Sequence, residues 1–482
     1  MDKTGFATAA EPPAAAAQSG VQPEPASCRD GAGGFGSLRV WFQSKQQQHF
    51  PHDSLRARFA RGTFWSVAGA ATSRACLLCA SVVCGRLLGK AGFGELGMIQ
   101  STAGMFGIFA GLGLGLTTTK YVAQLRQSDP ARAGRILALS SLVALVSGGL
   151  MAVLLVLSAS ALATSTLRAP ELGVPLALGS GLVLFGALNG AQSGALAGFE
   201  AFKSIARVNF WVGLWSLPLI AIGVHYGKLE GAVCGFVASL AINCILAHGA
   251  LRQECARAGV RYDFLGSRRE WRVLHSFSLP AFLASIVVSP ALWVCNTLLV
   301  NRPNGYTEMG LYSAADKWRV LILFIPTSIF GTMVPMLSNL YGAGDLAAYR
   351  KVFRANLFVN LGLALGPALV IAALAPPLMS IYGASFRAGW PVLIVLAFAA
   401  IPEATNNIYM ARLICAQHIW WRFVLDLQLV GVLLLLARWW IPRWGAMGLA
   451  GAYVVAMSAL CLSQVLLARR HLFHEGDTLK SA

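Results

Sequence analysis

The most constraining feature of this sequence is a series of about twelve apolar segments, each long enough to cross a lipid bilayer. A membrane-spanning helix requires roughly 20 mainly apolar residues. Segments of that kind lie near residues 62–88, 93–119, 136–163, 172–198, 205–226, 229–251, 274–300, 309–340, 355–380, 390–413, 420–440 and 445–468. Because 56% of the 482 residues are hydrophobic and only 12% are charged, a soluble globular class is excluded. We therefore predict an all-α, polytopic membrane protein with about twelve transmembrane helices.

The second six segments resemble the first six at nearly constant offsets. Residues 95–98 (Glu-Leu-Gly-Met) resemble residues 308–311 (Glu-Met-Gly-Leu), and residues 231–233 (Gly-Ala-Val) resemble residues 445–447 (Gly-Ala-Met). The glycines of these pairs are 213 and 214 positions apart. Two matches at one offset indicate an internal repeat of six spans.

Two copies of six spans share one topology, so an axis along the membrane normal relates them. This predicts two six-helix bundles, at residues 61–251 and 273–470, joined by a basic loop at 252–272. A cleft between two such bundles, opened to each side of the membrane in turn, is the architecture of a transporter. Residues 1–60 have the composition of a flexible tail and no apolar run of signal-peptide length, and a second tail is expected at 471–482.

Lysine and arginine residues are distributed unequally between the two sides of this topology. One alternate set of connections, together with both termini, holds 23 of them near span ends, and the other set holds 8. Because basic residues near span ends remain cytoplasmic, we expect both tails and the 252–272 loop in the cytoplasm and the protein in the inner (cytoplasmic) membrane. The net charge of +18 follows from this bias. Its scattered positions argue against nucleic acid as a partner.

The sequence offers little support for a metal site, a cofactor or catalysis. Cys76 and Cys79 have zinc-like spacing but no second pair of ligands nearby. Residues 85–90 are one residue short of a phosphate-binding Walker A loop and lack its Ser or Thr. Since no large extramembrane loop carries a cluster of carboxylates, a membrane-embedded glycosyltransferase or polymerase is also disfavoured. We expect no cofactor and no enzymatic activity.

Several segments resemble one known family. Residues 62–65 (Gly-Thr-Phe-Trp), the 86–97 junction between the first two spans, and residues 120–134 after the second span are similar to the oligosaccharide flippase (polysaccharide biosynthesis) family. That family belongs to the multidrug, oligosaccharidyl-lipid and polysaccharide exporter superfamily, and the resemblance extends over residues 60–470. It implies two six-helix lobes that move an undecaprenyl-pyrophosphate-linked glycan from the inner to the outer leaflet. It also implies the lipid bilayer, glycosyltransferases and a glycan polymerase as partners.

Ionisable residues at membrane depth are costly, so they indicate candidate site residues. Arg74 is thirteen residues beyond Arg61, or about 20 Å along the helix, near the middle of the first span. It either faces a cavity or forms a structural pair with a carboxylate or backbone carbonyls. In span eight, Asp316 and Arg319 are three residues apart on one face and are expected to pair, which leaves Lys317 without a partner. This group is either a local ion-pair cluster or a substrate contact.

Other polar residues inside the spans allow two interpretations each. Glu403 in span ten is either the partner of a cavity cation, an ion-coupling group together with Asp316, or a neutral hydrogen-bonded acid. Amides in spans four and seven either bind sugar hydroxyls or join helices: Asn189, Gln192 and Asn296. The glycines of span two are expected to permit close packing, with bending as the alternative: Gly104, Gly107, Gly111, Gly113 and Gly115.

A cavity with net positive charge favours an anionic cargo. Span one carries Arg74, and span seven carries no Asp or Glu, whereas a cation exporter of the same superfamily is expected to need membrane carboxylates there. The first hypothesis is a flippase for a lipid-pyrophosphate-linked oligosaccharide, with Arg74, Lys317 and Arg319 on the pyrophosphate. The alternative is a multidrug or other small-molecule antiporter of the same superfamily.

Overall fold

The computed structural model describes residues 55–273, 278, 282, 286–342, 345–415 and 419–478. Residues 60–482 form one compact unit. The tail predicted for residues 1–60 lies outside the described residues, except that the first helix already begins at Leu55. Part of span seven and residues 479–482 also lie outside them.

The described residues form helices and their connections, with no strand among them. The main helices are α1 (Leu55–Gly111), α2 (Leu114–Leu125), α3 (Pro130–Ala161), α4 (Gly173–Leu178), α5 (Ser180–Gly198), α6 (Phe202–Arg257), α7 (Val288–Val300), α8 (Gly305–Ile322), α9 (Phe324–Gly342), α10 (Leu346–Ala373), α11 (Ala375–Ser380), α12 (Trp390–Cys415) and α13 (Ile419–Thr478).

Three of these helices are pairs of spans joined at a single non-helical residue. The breaks are at Gly89 in α1, Lys228 in α6 and Gly445 in α13, where φ is 69°, 46° and 56°. Seven helical stretches are long and apolar enough to cross a membrane, and three of them, of 43, 56 and 48 residues, contain these breaks. Counting both arms of each broken helix turns the seven stretches into ten spans. The short apolar α7 and the charged α8–α9 pair add two more, so the described part contains the twelve predicted spans.

The internal repeat is visible in how corresponding helices begin. Asp129 accepts a hydrogen bond from the backbone nitrogen of Arg132, 2.9 Å away, at the start of α3. Asp345 accepts the same bond from Ala348, also at 2.9 Å, at the start of α10. Each carboxylate satisfies a backbone donor that has no partner within its helix. Spans three and nine therefore have the same N-terminal cap, as two copies of one bundle should.

Spans two and eight cross with their backbones in contact. A Cβ atom added at Gly94 would lie 1.9 Å from the carbonyl oxygen of Tyr306, and one added at Gly310 would lie 2.0 Å from that of Lys90. Only glycine permits this approach, and small residues are the usual means of close helix packing in membranes. Gly310 belongs to the second repeat motif, and its counterpart Gly97 lies at the same crossing, where an added Cβ atom would overlap Ser313 Oγ. The repeat glycines are therefore placed at the contact between the repeats.

Further contacts between the two bundles lie at the same end of the spans, which we call the closed end. Tyr382 is fully buried there, and its hydroxyl lies 3.0 Å from Ser81 Oγ. Arg86 Nε donates to the carbonyl oxygen of Ile381 at 2.7 Å. Two more side chains of the second bundle donate to carbonyl oxygens of the first bundle: Asn301 to Thr166 and Tyr306 to Leu167.

Beyond the closed end, span two stays packed within the first bundle through Ala103, Phe106 and Ala110, but its opposite face is open. A Cβ atom added at Gly104, Gly107 or Gly111 would meet no atom of a described residue within 4 Å. The expectation that these three glycines serve close packing is therefore wrong, because no described residue packs against the face of span two that carries them. Gly115 does pack closely, with the carbonyl oxygen of Gly190 3.0 Å from its added Cβ. Gly113, at φ 69°, forms the bend between α1 and α2.

We expect Gly310→Ala to destabilise the protein and Gly104→Ala to leave it unchanged or slightly more stable. The first methyl group overlaps the Lys90 carbonyl, and overpacking costs about 1–3 kcal/mol. The second meets open space, and alanine is favoured over glycine in a helix by about 1 kcal/mol. Thermal unfolding of the two purified variants in detergent measures the difference. Equal melting temperatures would show that the crossing is not a tight backbone contact.

Candidate substrate cleft

Lys317 lies at the boundary between the closed end and the open space beside Gly104. Residues Tyr306, Gly310 and Ser313 form the face of α8 that contacts the first bundle. Lys317 follows Ser313 one turn later on this face, because residues four apart on a helix lie above one another. Its ammonium group donates to Gln100 Oε1 of span two at 3.1 Å. Among the described residues, no carboxylate forms an ion pair with it.

Arg74 approaches the same space from span one. Ser81, seven residues or about two turns further along the helix, faces the second bundle through its contact with Tyr382. Arg74 therefore lies on the same side of span one, about 10 Å from Ser81 along the helix axis at 1.5 Å per residue. It is exposed, forms no ion pair with a described carboxylate, and its charge repels that of Lys317. Of its two predicted roles, the geometry favours the cavity.

The cleft is asymmetric although the bundles are repeats. At the 213-residue offset of the repeat, Lys317 corresponds to Gly104. Gly104 lies one turn beyond Gln100 on the face of span two that contacts Lys317, and the space beside it is empty of described atoms. At this position the second bundle therefore has a cation, Lys317, whereas the first bundle has a glycine with open space beside it.

Arg319 lies in a different environment, inside the second bundle. As the three-residue spacing predicts, it pairs with Asp316, at 2.7 Å from Nη2 to Oδ1. It also forms an ion pair with Glu403 of α12, and its guanidinium carbon lies 5.0 Å from the centre of the Tyr453 ring. The Tyr453 hydroxyl completes the group by donating to Glu403 Oε2 at 3.1 Å. Two carboxylates thus neutralise Arg319, which joins spans eight, ten and twelve.

The three predicted amides do not meet at the cleft. Asn296 donates to Ser101 Oγ at 2.9 Å, between spans seven and two. Asn189 and Gln192 are buried within the first bundle, where they donate to the Leu240 carbonyl oxygen at 3.1 Å and to Cys244 Sγ at 3.4 Å. Their contacts fit the helix-joining interpretation.

Sequence reasoning missed several residues that shape the cleft. Gln100 and Gly104 follow Gly97 at helical spacing and therefore lie on the same face of span two. The sequence could have identified this face only if Gly97 had first been placed at the crossing with span eight. Tyr382 and Tyr453 gave no signal, because their partners are more than forty positions away in the sequence.

Arg74 is exposed, Lys317 is half-buried at the edge of the open space, and no carboxylate of the described residues forms an ion pair with either. Two such cations can hold a group with more than one negative charge. Arginine offers a fork that matches phosphate oxygens, and lysine offers a compact charge with three donors. The cleft therefore has the electrostatics of a site for a phosphate-bearing ligand.

Comparison with known proteins gives concordant results. A family model described as polysaccharide biosynthesis protein matches residues 59–341. The EPS I polysaccharide export inner membrane protein EpsE of Ralstonia nicotianae is 25% identical over 423 residues, which cover 86% of this chain and 94% of that protein. The lipid III flippase of Escherichia coli is 24% identical over 433 residues, with 85% and 99% covered.

Solved structures share the fold. An inward-facing multidrug resistance MATE family transporter of the MOP superfamily aligns with a TM-score of 0.69 at 14% identity, over 84% of this chain and 96% of the other. A MOP superfamily transporter from Pyrococcus furiosus, whose structure is described as having a binding pocket of reverse polarity, aligns with a TM-score of 0.63 at 15% identity, over 86% and 95%. The predicted all-helical, twelve-span, two-lobe fold is thereby confirmed.

We expect Arg319→Ala to lower the melting temperature more than Glu403→Ala does. Removing the guanidinium leaves two half-buried carboxylates uncompensated, whereas removing Glu403 leaves Arg319 with Asp316. Breaking a fully buried pair costs about 3–5 kcal/mol, and partial exposure of the carboxylates makes the loss smaller here. The double variant should lose less than the sum of the two single losses, because the same interaction is removed in each. Additive losses in thermal unfolding would contradict a direct pair.

Proposed function

Because the chain belongs to the polysaccharide biosynthesis protein family, we propose that it is a flippase that moves a polyprenyl-pyrophosphate-linked oligosaccharide across the cytoplasmic membrane. It is a transporter of the two-lobe fold, not an enzyme. The observation that carries the proposal is the uncompensated pair of cations, Arg74 and Lys317, on opposite sides of the cleft. The named relatives, a polysaccharide export protein and a lipid III flippase, support the same class of cargo.

The proposed mechanism is alternating access without any chemical change in the cargo. The pyrophosphate binds Arg74 and Lys317 while the closed end separates the cleft from the periplasm. Opening that end breaks the contacts of Tyr382 and exposes Asn296 and its partner Ser101 to the sugars. An inside-negative potential of about 100 mV favours outward movement of two negative charges by roughly 5 kcal/mol.

The residues of the Arg319 network have a supporting role in this proposal. Asp316 and Glu403, both paired with Arg319, are the groups that a coupled proton or cation would use. Arg319 holds them in place, and Asn189 and Gln192 stabilise the first bundle.

The alternative function is that of a multidrug antiporter, and the fold similarity to a multidrug resistance transporter favours it. The charge of the cleft argues against it, because Arg74 and Lys317 would repel a cationic drug. Export of a cationic dye by cells that express this protein, with no effect on surface glycan, would decide for the antiporter.

We expect Arg74→Ala and Lys317→Ala each to abolish glycan export while the protein still accumulates in the membrane. Arg74→Lys should restore export only in part, because an ammonium group lacks the bidentate fork that fits phosphate oxygens. Surface glycan and lipid-linked precursor in cells that depend on the variant are the measurements. The matched control is Arg387→Ala, which removes an exposed arginine from the loop after α11 and should export normally. Normal export by Arg74→Ala, or loss of folded protein as its only defect, would contradict the proposed site.

Alternating access is tested by a disulfide across the closed end. A Cβ atom added at Gly85 would lie 3.4 Å from Tyr382 Cβ, which is close to the separation found in disulfides. We expect the Gly85→Cys/Tyr382→Cys variant, with Cys79 and Cys84 replaced by Ala, to lose export on oxidation and regain it on reduction. Each single cysteine variant should be insensitive to oxidant. Full export by the cross-linked protein would show that transport does not require this end to open.

A further inference from the structure

The linker between the bundles, residues 258–273, is fixed to the first bundle. Glu270 is buried and accepts from Arg132 Nε at 3.1 Å and from Arg135 Nη2 at 3.3 Å, both in the first two turns of α3. A Cβ atom added at Gly134 would lie 1.9 Å from the Arg261 carbonyl oxygen, so the two backbones touch. The linker is therefore a docked element rather than a loose connection.

This docking fixes the depth of the linker relative to the bilayer. It lies against the residues at which α3 changes from charged to apolar, since Arg135 is followed directly by the apolar run that begins at Ile136. A change of this kind marks the boundary between headgroups and hydrocarbon. The linker thus runs at the level of the lipid headgroups.

The outer surface of the linker is strongly apolar. Phe264 is 57% exposed, Leu265 96% and Trp271 64%. Phe264 stacks on Tyr262 with ring centres 5.9 Å apart, which fixes its position on this surface. Three large apolar side chains exposed on one short segment indicate a binding surface.

The exposed charge of the linker has a single sign. Arg268, Arg269 and Arg272 are exposed. Both of the linker's carboxylates are engaged: Glu270 in its ion pairs and Asp263 in accepting from the Gly266 nitrogen at 2.7 Å. An acidic counterpart is therefore the complementary partner.

We propose that this linker is an interfacial anchor that binds anionic phospholipid headgroups. Phe264, Leu265 and Trp271 enter the upper acyl region, and the arginines bind the phosphates. Aromatic and basic residues at headgroup depth are the combination by which interfacial segments bind anionic leaflets. The anchor holds the first bundle at a fixed depth while the second bundle moves. It requires only that the protein resides in a membrane, not that its cargo is a lipid-linked glycan.

The test uses the full chain in nanodiscs, with a spin label at Leu265→Cys in a background whose other reactive cysteines are replaced. When phosphatidylglycerol is added to phosphatidylcholine, we expect the ratio of relaxation by a lipid-soluble agent to relaxation by a water-soluble agent to rise severalfold. Arg268→Gln/Arg269→Gln/Arg272→Gln should remove the dependence on phosphatidylglycerol, with the folded state checked by size exclusion. The matched control is a label at Ser128→Cys, exposed in the connection before α3, which should not respond.

Three results overturn the anchor. The label could remain equally accessible to water in both lipid mixtures, or the triple glutamine variant could keep the response. Alternatively, soluble polyglutamate could protect the label where phosphatidylglycerol does not, which would assign the surface to an acidic protein instead.

Discussion

The structure depends on the point where spans two and eight cross in backbone contact. The hydrophobic effect does not hold two helices together within lipid, so close packing of small residues must do so. Gly94 and Gly310 provide it at one end of the spans only. Beyond this point the helices diverge, and the cleft exists because the contact is confined to that end. Lys317, about two turns past Gly310, lies where the separation begins.

Three cations on spans one and eight differ in how their charge is compensated. Arg319 has two carboxylates and a phenol around it, so its desolvation is offset within one bundle. No described carboxylate forms an ion pair with Arg74 or Lys317, and the two charges repel each other. An uncompensated cation inside a membrane costs stability, and in the proposed function the cargo's phosphates offset that cost.

Sequence reasoning captured what depends on local periodicity. The twelve spans follow from the length of apolar runs, and the Asp316–Arg319 pair follows from a three-residue spacing. It failed where the outcome depends on which helix lies opposite. Gly104 has empty space beside it whereas Gly115 has a helix, and nothing in their sequence surroundings distinguishes them. The partner of Arg319 on α12 is 84 positions away, beyond any local pattern.

The inequality of Gly104 and Lys317 has a consequence for how cargo is oriented. A perfectly duplicated transporter would present the same groups on both sides of its pseudo-twofold axis, and a headgroup could bind in two equivalent poses. Its lipid tail would then leave through either seam between the bundles. Because only one of the two related positions carries a charge, the two poses are no longer equivalent. In the proposed flippase, a headgroup held there would sit off the axis in a single pose, so its lipid tail would leave through one seam between the bundles and not through the other.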